Sequence, residues 1–297
     1  MITRHAIEHT LDFRYSAPVH SSVMTLYVQP LQDRRQVLLD FSIATEPGGP
    51  VFSFDGPFNN KGHFLDRPGS HEHLVVRARS TVETDPQRNV PDSLGSDGWN
   101  RLARGIGDPE LWLMLQPSHF VRPSPALDRF MRTHELEPGD DPLASALALR
   151  DTLHRTFEYT PGSTAADSPT ENILETGCGV CQDYAHVMAS IMRLWGVPCR
   201  YVSGYLGPDA ATAASAASHA WVECWFPDLG WTGLDPANNS GDDERHLRVA
   251  VGRDYADVPP TRGVFKGWAD SVLTPEVTVT LQERPDHCEI VTHDIHT

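Results

Sequence analysis

The feature that most constrains this chain is a glycine-containing segment that runs directly into an amphipathic helix. Residues 175–186 read ETGCGVCQDYAH, and from Cys181 to Trp195 apolar side chains recur every three or four positions. This spacing predicts a helix of about four turns with one apolar face. Gly196 and Pro198 favour its end there, because glycine caps helices and proline cannot continue them. A cysteine therefore lies in the first turn of a helix that must pack against a core.

The position of Cys181 also predicts chemistry. The N-terminus of a helix carries free N–H groups and a partial positive charge, which together favour a thiolate. Gly177 and Gly179 let the backbone turn sharply and leave room for a carbonyl group to approach. The backbone N–H of Cys181 can donate to an oxyanion. We therefore identify Cys181 as a candidate nucleophile.

A cysteine nucleophile needs a base and a group that orients the base. His219 opens a strand-like segment and is the candidate base. Glu223 lies about 13 Å along that strand, too far to reach the imidazole. If the following hairpin turn centres near Asp228, Asp235 becomes a diagonal neighbour of His219 on the same face. The sequence therefore predicts a catalytic triad of Cys181, His219 and Asp235.

Other cysteine and histidine patterns allow different interpretations. Cys178 and Cys181 match Cys-x-x-Cys, which suggests a redox pair or half of a zinc site. No second Cys-x-x-Cys or His-x-His follows at zinc-site spacing, and no thioredoxin-like βαβ unit precedes the motif. His71 and His73 share one strand face without a third ligand, and His186 is better explained as a helix-packing residue. We expect neither a metal nor a cofactor.

Hydrophobic periodicity divides the chain into four parts and predicts an α+β fold. We expect an N-terminal antiparallel β-domain over residues 1–84, a linker with connecting helices over 85–140, a catalytic core over 141–270 and C-terminal strands over 271–297. Strands are predicted at 4–13, 23–28, 36–43, 74–82, 199–206, 219–226, 231–235 and 275–282, and helices at 125–133, 142–157 and 181–195.

Composition excludes several classes of protein. The 297 residues carry a formal charge of −16, from 40 acidic and 24 basic side chains, which repels nucleic acid. No apolar run approaches the ~18 residues of a membrane span. The first residues lack the apolar stretch of a signal peptide, so we expect a cytoplasmic protein without a membrane partner. The five cysteines (178, 181, 199, 224 and 288) are odd in number and dispersed, which favours free thiols.

Further sequence segments are distinctive when they are taken together: 9–15, 26–30, 177–186, 200–205, 219–223, 230–238, 251–260 and 262–264. This combination resembles the bacterial transglutaminase-like superfamily, whose members are often described as proposed cysteine proteases. The resemblance implies a papain-like α+β core with Cys181 as nucleophile, His219 as base and Asp235 as orienting acid. It also implies a bacterial transglutaminase-like N-terminal domain.

These observations predict a thiol-dependent acyl-transfer enzyme that acts on peptide or side-chain amides of a peptide or protein substrate through a cysteine thioester. Hydrolysis is favoured because water is present at ~55 M and needs no dedicated site. The alternatives are a transglutaminase that cross-links glutamine to amines, a catalytically silent peptide-binding module, and a thiol–disulfide oxidoreductase. Tyr159 or a tryptophan is a candidate for the second oxyanion donor.

Overall fold

The protein is described by a computed structural model that covers residues 2–85, 90–208 and 218–282 and the backbone of residues 214–215. Its described residues form two large antiparallel sheets, one two-stranded parallel sheet and a group of helices, which confirms the predicted α+β class. Cys288, residues 86–89 of the predicted linker and residues 283–297 of the predicted C-terminal strands lie outside the described residues.

Long strands dominate the first and last parts of the chain, and shorter ones form the middle. The strands are β1 (Thr3–Leu26), β2 (Gln36–Glu46), β3 (Val51–Asp55), β4 (Lys61–Thr84), β5 (Glu158–Tyr159), β6 (Cys178–Gly179), β7 (Cys199–Leu206), β8 (Ala214–Ser215), β9 (Ser218–Phe226), β10 (Gly230–Asp235), β11 (Ser240–Gly241), β12 (His246–Gly252), β13 (Thr261–Lys266) and β14 (Ser271–Gln282).

The first sheet has the order β2-β4-β1-β14-β8, with β3 paired to β4 and β13 to β1. Alternate residues of β1 are buried from His5 to Phe13, as the period-two pattern predicts. The pairing of β1 with β4 shifts register between Arg14 and Ser21, which divides β1 into two halves. The first half pairs with β14 and the second with β13.

The end of the predicted catalytic core pairs with the N-terminal sheet. Residues 261–266 form β13, where Val264 lies opposite Val23. The returning chain pairs with the edge of β1 that β4 leaves free. A pairing between segments more than 200 residues apart leaves no local periodic signal.

The second sheet has the order β11-β10-β9-β7-β12, and all its described pairings are antiparallel. Helix α6 (Cys181–Leu194) packs across β7 and β9 and is buried over most of its length. It begins at Cys181 as predicted. No helix in the described ranges combines the length and apolar character that a membrane span needs. The helices are α1 (Gly98–Gly105), α2 (Pro109–Leu113), α3 (Pro125–Thr133), α4 (Pro142–Thr156), α5 (Glu171–Thr176) and α6 (Cys181–Leu194).

The first sheet packs directly onto the core, and polar side chains join the two. Gln36 donates to the backbone carbonyls of Leu31 and Arg248 at 2.7 Å each and accepts from the Arg248 N–H at 2.8 Å. Asn60 makes a similar two-way contact with the backbone of Val251. Apolar residues of the first sheet, namely Ile7 of β1, Val82 of β4 and Val277 and Val279 of β14, belong to the same hydrophobic cluster as residues of α6. The two parts of the chain therefore form a shared interior.

Candidate active site

The turn before α6 is held by a short parallel pairing of β5 with β6. Helix α5 ends at Gly177, whose φ of +75° lies in the left-handed region that glycine tolerates best. The Glu158 N–H donates to the Gly177 carbonyl at 2.8 Å, and the Thr160 N–H donates to the Gly179 carbonyl at 3.0 Å. These bonds fix the approach to Cys181 and bring Tyr159 beside it.

Asp183 organises the first turn of α6. One of its carboxylate oxygens accepts from the Val180 N–H at 2.8 Å and from the Thr164 hydroxyl at 2.6 Å. Gly179 lies close against this turn, because a side chain there would meet the Ile173 side chain at 2.5 Å. The helix therefore starts at a defined position, with Cys181 as its first residue.

The hairpin of β9 and β10 brings His219 and Asp235 together. Gly233 lies opposite Glu223, so the hairpin centres on Asp228 as predicted. The Nε2 of His219 is 2.6 Å from Oδ2 of Asp235, and both residues are buried. The hairpin therefore brings these two side chains into direct contact.

The imidazole of His219 lies between Asp235 and Cys181. Because Nε2 faces the carboxylate, Nδ1 is the ring nitrogen left to bond the Cys181 thiol. Burial lowers the pKa of His219, but the hydrogen bonds and charges of Asp235 and Cys181 outweigh it and raise the pKa to about 10. The ring is therefore protonated at neutral pH, and the structure brings all three predicted residues into one chain of contacts.

Asp235 accepts hydrogen bonds on both of its oxygens. Oδ1 accepts from the N–H groups of Ala237 and Asn238 at 3.0 and 3.1 Å. Oδ2 accepts from the Asn238 amide at 2.8 Å, besides His219, and lies 3.1 Å from Nε2 of His246. Burial raises the pKa of Asp235, but the bonds from the two histidines hold it well below its usual range. The carboxylate is thus ionised and held in one orientation.

Sequence reasoning missed His246, which extends this chain of contacts. Its Nδ1 lies 2.9 Å from a carboxylate oxygen of Asp243. Burial lowers the pKa of His246, but Asp235 and Asp243 together raise it above its ordinary value. Trp221 stacks on the ring of His219 and packs edge-on against His246. A histidine eleven residues beyond Asp235 was the only signal in the sequence.

The cluster of His219, Asp235 and His246 has the side-chain types of a metal site, and its candidate ligand atoms lie within 4.8 Å of one another. The two nitrogen-to-oxygen distances, 2.6 and 3.1 Å, are those of hydrogen bonds. Zinc would need about 2.0–2.2 Å from each ligand atom to the ion in place of these contacts. We therefore interpret the cluster as a proton-sharing chain.

The other cysteine and histidine residues considered as redox, metal-binding or basic groups have contacts that explain them as structural residues. Cys178 and Cys181 are free thiols, as are the other two described cysteines. His71 bonds the Ser22 hydroxyl, and His73 bonds a surface carboxylate. His186 is buried, accepts from a backbone N–H and has a pKa lowered by burial to about 3.

Tyr159 is the side chain next to Cys181 on the solvent side. It is half exposed, and its hydroxyl lies close to the thiol and to the backbone N–H of Cys181. Burial of the hydroxyl and the nearby sulfur raise the pKa of Tyr159 to about 12. The hydroxyl therefore keeps its proton near neutrality and can donate a hydrogen bond beside the nucleophile.

Comparison with known proteins agrees with this architecture. The transglutaminase-like superfamily model matches residues 131–236, and the bacterial transglutaminase-like N-terminal region matches residues 5–83. An uncharacterized protein of Mycobacterium leprae is 30% identical over 285 residues, which span 93% of this chain and 98% of that protein. A protein-glutamine gamma-glutamyltransferase of Pseudomonas aeruginosa is 34% identical over 170 residues, which span 52% of this chain and 25% of that enzyme.

The solved structure of a proposed cysteine protease from Cytophaga hutchinsonii has the same fold over nearly the whole chain. It aligns with a TM-score of 0.73 at 19% identity and covers 96% of this chain and 92% of its own. This likeness extends through both the N-terminal sheet and the core. The two family matches, over residues 5–83 and 131–236, show that the chain belongs to the transglutaminase-like superfamily.

Proposed function

We propose that the protein is a thiol acyl-transfer enzyme that acts on peptide or side-chain amides of a peptide or protein substrate. The observation that carries this proposal is the continuous chain of contacts from Cys181 through His219 to Asp235. A protonated imidazole beside a thiol at a helix N-terminus favours the thiolate–imidazolium pair. Membership in a superfamily of cysteine-based enzymes supports the same assignment.

The reaction proceeds in two steps. The Cys181 thiolate attacks the amide carbonyl carbon, a C–S bond forms, and the π electrons move to oxygen. As the C–N bond breaks, His219 gives its proton to the departing amine, and a thioester remains. His219 then takes a proton from water, the water oxygen attacks the thioester, and the acid leaves as the thiolate is restored. Asp235 keeps Nε2 of the ring protonated and oriented throughout.

Two donors flank the position where the oxyanion forms. They are the backbone N–H of Cys181 and the hydroxyl of Tyr159, which lies close to that N–H. Replacing Tyr159→Phe removes one donor, so we expect kcat to fall about 100-fold with little change in KM. The matched control is Tyr27→Phe, at the residue that directly follows β1, which should leave both constants unchanged. Equal activity of the two variants would exclude the tyrosine as a donor.

The fate of the thioester distinguishes hydrolysis from cross-linking. Hydrolysis remains our first proposal, while the similarity to a protein-glutamine gamma-glutamyltransferase favours transamidation as the second. The protein is incubated with an N-blocked glutamine peptide, and a fluorescent primary amine is present or absent. Mass spectrometry then separates the acid product from the amine adduct. If the amine adduct exceeds the acid product at millimolar amine, transamidation is favoured over hydrolysis as the reaction of this protein.

Two alternative functions remain, a catalytically silent binding module and a disulfide oxidoreductase. Labelling and substitution of Cys178 and Cys181 test both. We expect iodoacetamide to label Cys181 below pH 7 and a peptide aldehyde to block that labelling. Cys181→Ala should abolish amide turnover, whereas Cys178→Ser should leave it largely intact. Loss of activity in the Cys178 variant would support an oxidoreductase, and an unreactive Cys181 would support a silent module.

A further inference from the structure

A cleft of about 350 Å³ opens beside Cys181 and His219, between the first sheet and the core. The start of α6 and parts of β7 and β9 form one wall. Strands β1 and β14 form the opposite wall. The residues of that second wall are His9, Leu11, Leu273 and Pro275. The N-terminal sheet therefore reaches the site of chemistry.

The described residues that line this cleft include no Asp, Glu, Lys or Arg. His9 is uncharged at neutral pH because burial lowers its pKa to about 4, and its Nδ1 bonds the Tyr205 hydroxyl at 2.8 Å. Burial also raises the pKa of Tyr201, in the opposite wall, well above its ordinary value. Apart from the thiolate–imidazolium pair of Cys181 and His219, whose opposite charges offset each other, the described lining offers no charge to a charged group that loses its water on entering.

We propose that this cleft binds an uncharged, apolar group of the substrate, next to the carbonyl that Cys181 attacks. Its volume lies within the ~300–1,000 Å³ of small-molecule sites, which is enough for one or two side chains. The preferred substrates are then amides flanked by aliphatic or aromatic groups, and the first sheet forms part of the specificity site. This inference rests on the proposed function, because it assumes that the adjacent thiol reacts.

Haloacetamide probes test the cleft without knowledge of the natural substrate. The second-order rate of Cys181 alkylation is measured with chloroacetamide and its N-pentyl, N-(4-ammoniobutyl) and N-(4-carboxybutyl) derivatives. We expect the pentyl probe to react at least about 10-fold faster than chloroacetamide, because each buried methylene adds several-fold to binding. The two charged probes should react no faster than chloroacetamide. Salt at ~0.15 M screens the net charge of the protein to within about 8 Å.

A charge placed on the wall should change this selectivity. Leu273 lines the cleft and is 37% exposed, so a charged side chain is tolerated there. Leu273→Asp should speed the ammonio probe and slow the carboxy probe, each several-fold, and Leu273→Lys should do the reverse. Val272, the next residue of β14, is 62% exposed and does not line the cleft. Val272→Asp and Val272→Lys are therefore the matched controls.

The outcomes separate the two proposals. A wild-type protein that resists chloroacetamide itself contradicts the proposed function. A protein that reacts with chloroacetamide but shows no preference for the pentyl probe overturns the apolar cleft alone. Equal effects at positions 272 and 273 overturn it as well. Circular dichroism of each variant confirms that the comparison is made between folded proteins.

Discussion

At the scale of single residues, the site depends on how one carboxylate is shared. Asp235 lies between two imidazoles and also receives the amide of Asn238 and two backbone N–H groups. The orientation of the carboxylate is therefore determined by groups on β9, on β12 and in the turn that follows β10. The 2.6 Å hydrogen bond between Nε2 of His219 and Oδ2 of Asp235 in turn orients the imidazole ring.

His246 acts on the chemistry only through Asp235, so it is a positioning residue. Replacing His246→Leu removes one hydrogen bond to Asp235 and leaves Asp243 without its buried partner. We expect kcat to fall about 10- to 100-fold, as for small misplacements of catalytic groups, with KM little changed. His246→Gln can still donate an N–H and should restore part of the loss. Steady-state kinetics of both variants, with their pH profiles, test this expectation; equal losses would argue against positioning through a hydrogen bond.

The raised pKa of His219 also predicts how stability depends on pH. Its folded value of about 10 lies above the unfolded value of 6.5, so its stabilising contribution is full below pH 6.5 and is lost between pH 6.5 and about 10. The free energy of unfolding of the wild type minus that of His219→Gln should fall over this window, by at most about 1.4 kcal/mol per pH unit. Urea titrations at several pH values measure it. A difference that grows with pH would contradict the assignment.

At the scale of secondary-structure elements, the turn between α5 and α6 determines where the nucleophile lies. Gly177 has φ of +75° and open space around its Cα, so a methyl group there costs backbone strain alone. We expect Gly177→Ala to lower the free energy of unfolding by about 1 kcal/mol. Gly107 also has open space but an ordinary φ, so Gly107→Ala should not destabilise the protein. Denaturant unfolding compares the two, and equal effects would remove the conformational explanation.

Sequence reasoning succeeded where a pattern repeats locally. The spacing of apolar residues predicts α6, and a hairpin centred near Asp228 predicts that Asp235 on β10 faces β9. It failed for contacts between distant segments, such as β13 with β1, because periodicity assigns faces but does not identify the pairing strand. His246 was missed for the same reason, since its place beside Asp235 depends on the pairing of β12 with β7.

At the scale of the whole molecule, a buried ion cluster joins the N-terminal part of the chain to the core. Glu223 is fully buried and lies 2.6 Å from Arg200, 3.1 Å from Arg35 and 3.5 Å from Arg248. Arg35 precedes β2, whereas the other three residues belong to the second sheet. The carboxylate of Glu223 therefore pairs with these three arginines and does not orient the imidazole of His219.

Removing the charge of Glu223 should therefore destabilise the whole protein. Burial raises the pKa of Glu223, but the three arginines outweigh it and lower the pKa to about 2, so the carboxylate is ionised at neutral pH. Glu223→Gln would leave three guanidinium groups around an uncharged amide, although Arg35 keeps its pair with Asp242 and Arg248 its pair with Asp33. We expect a loss of about 3 kcal/mol in the free energy of unfolding. The control is Glu8→Gln, which breaks an exposed pair with Arg79 and should cost less than about 1 kcal/mol. Equal losses in urea unfolding at pH 7 would mean that the cluster does not hold the two parts together. A larger loss for Glu223→Gln, in one cooperative transition, is expected if the sheet and the core unfold as a unit.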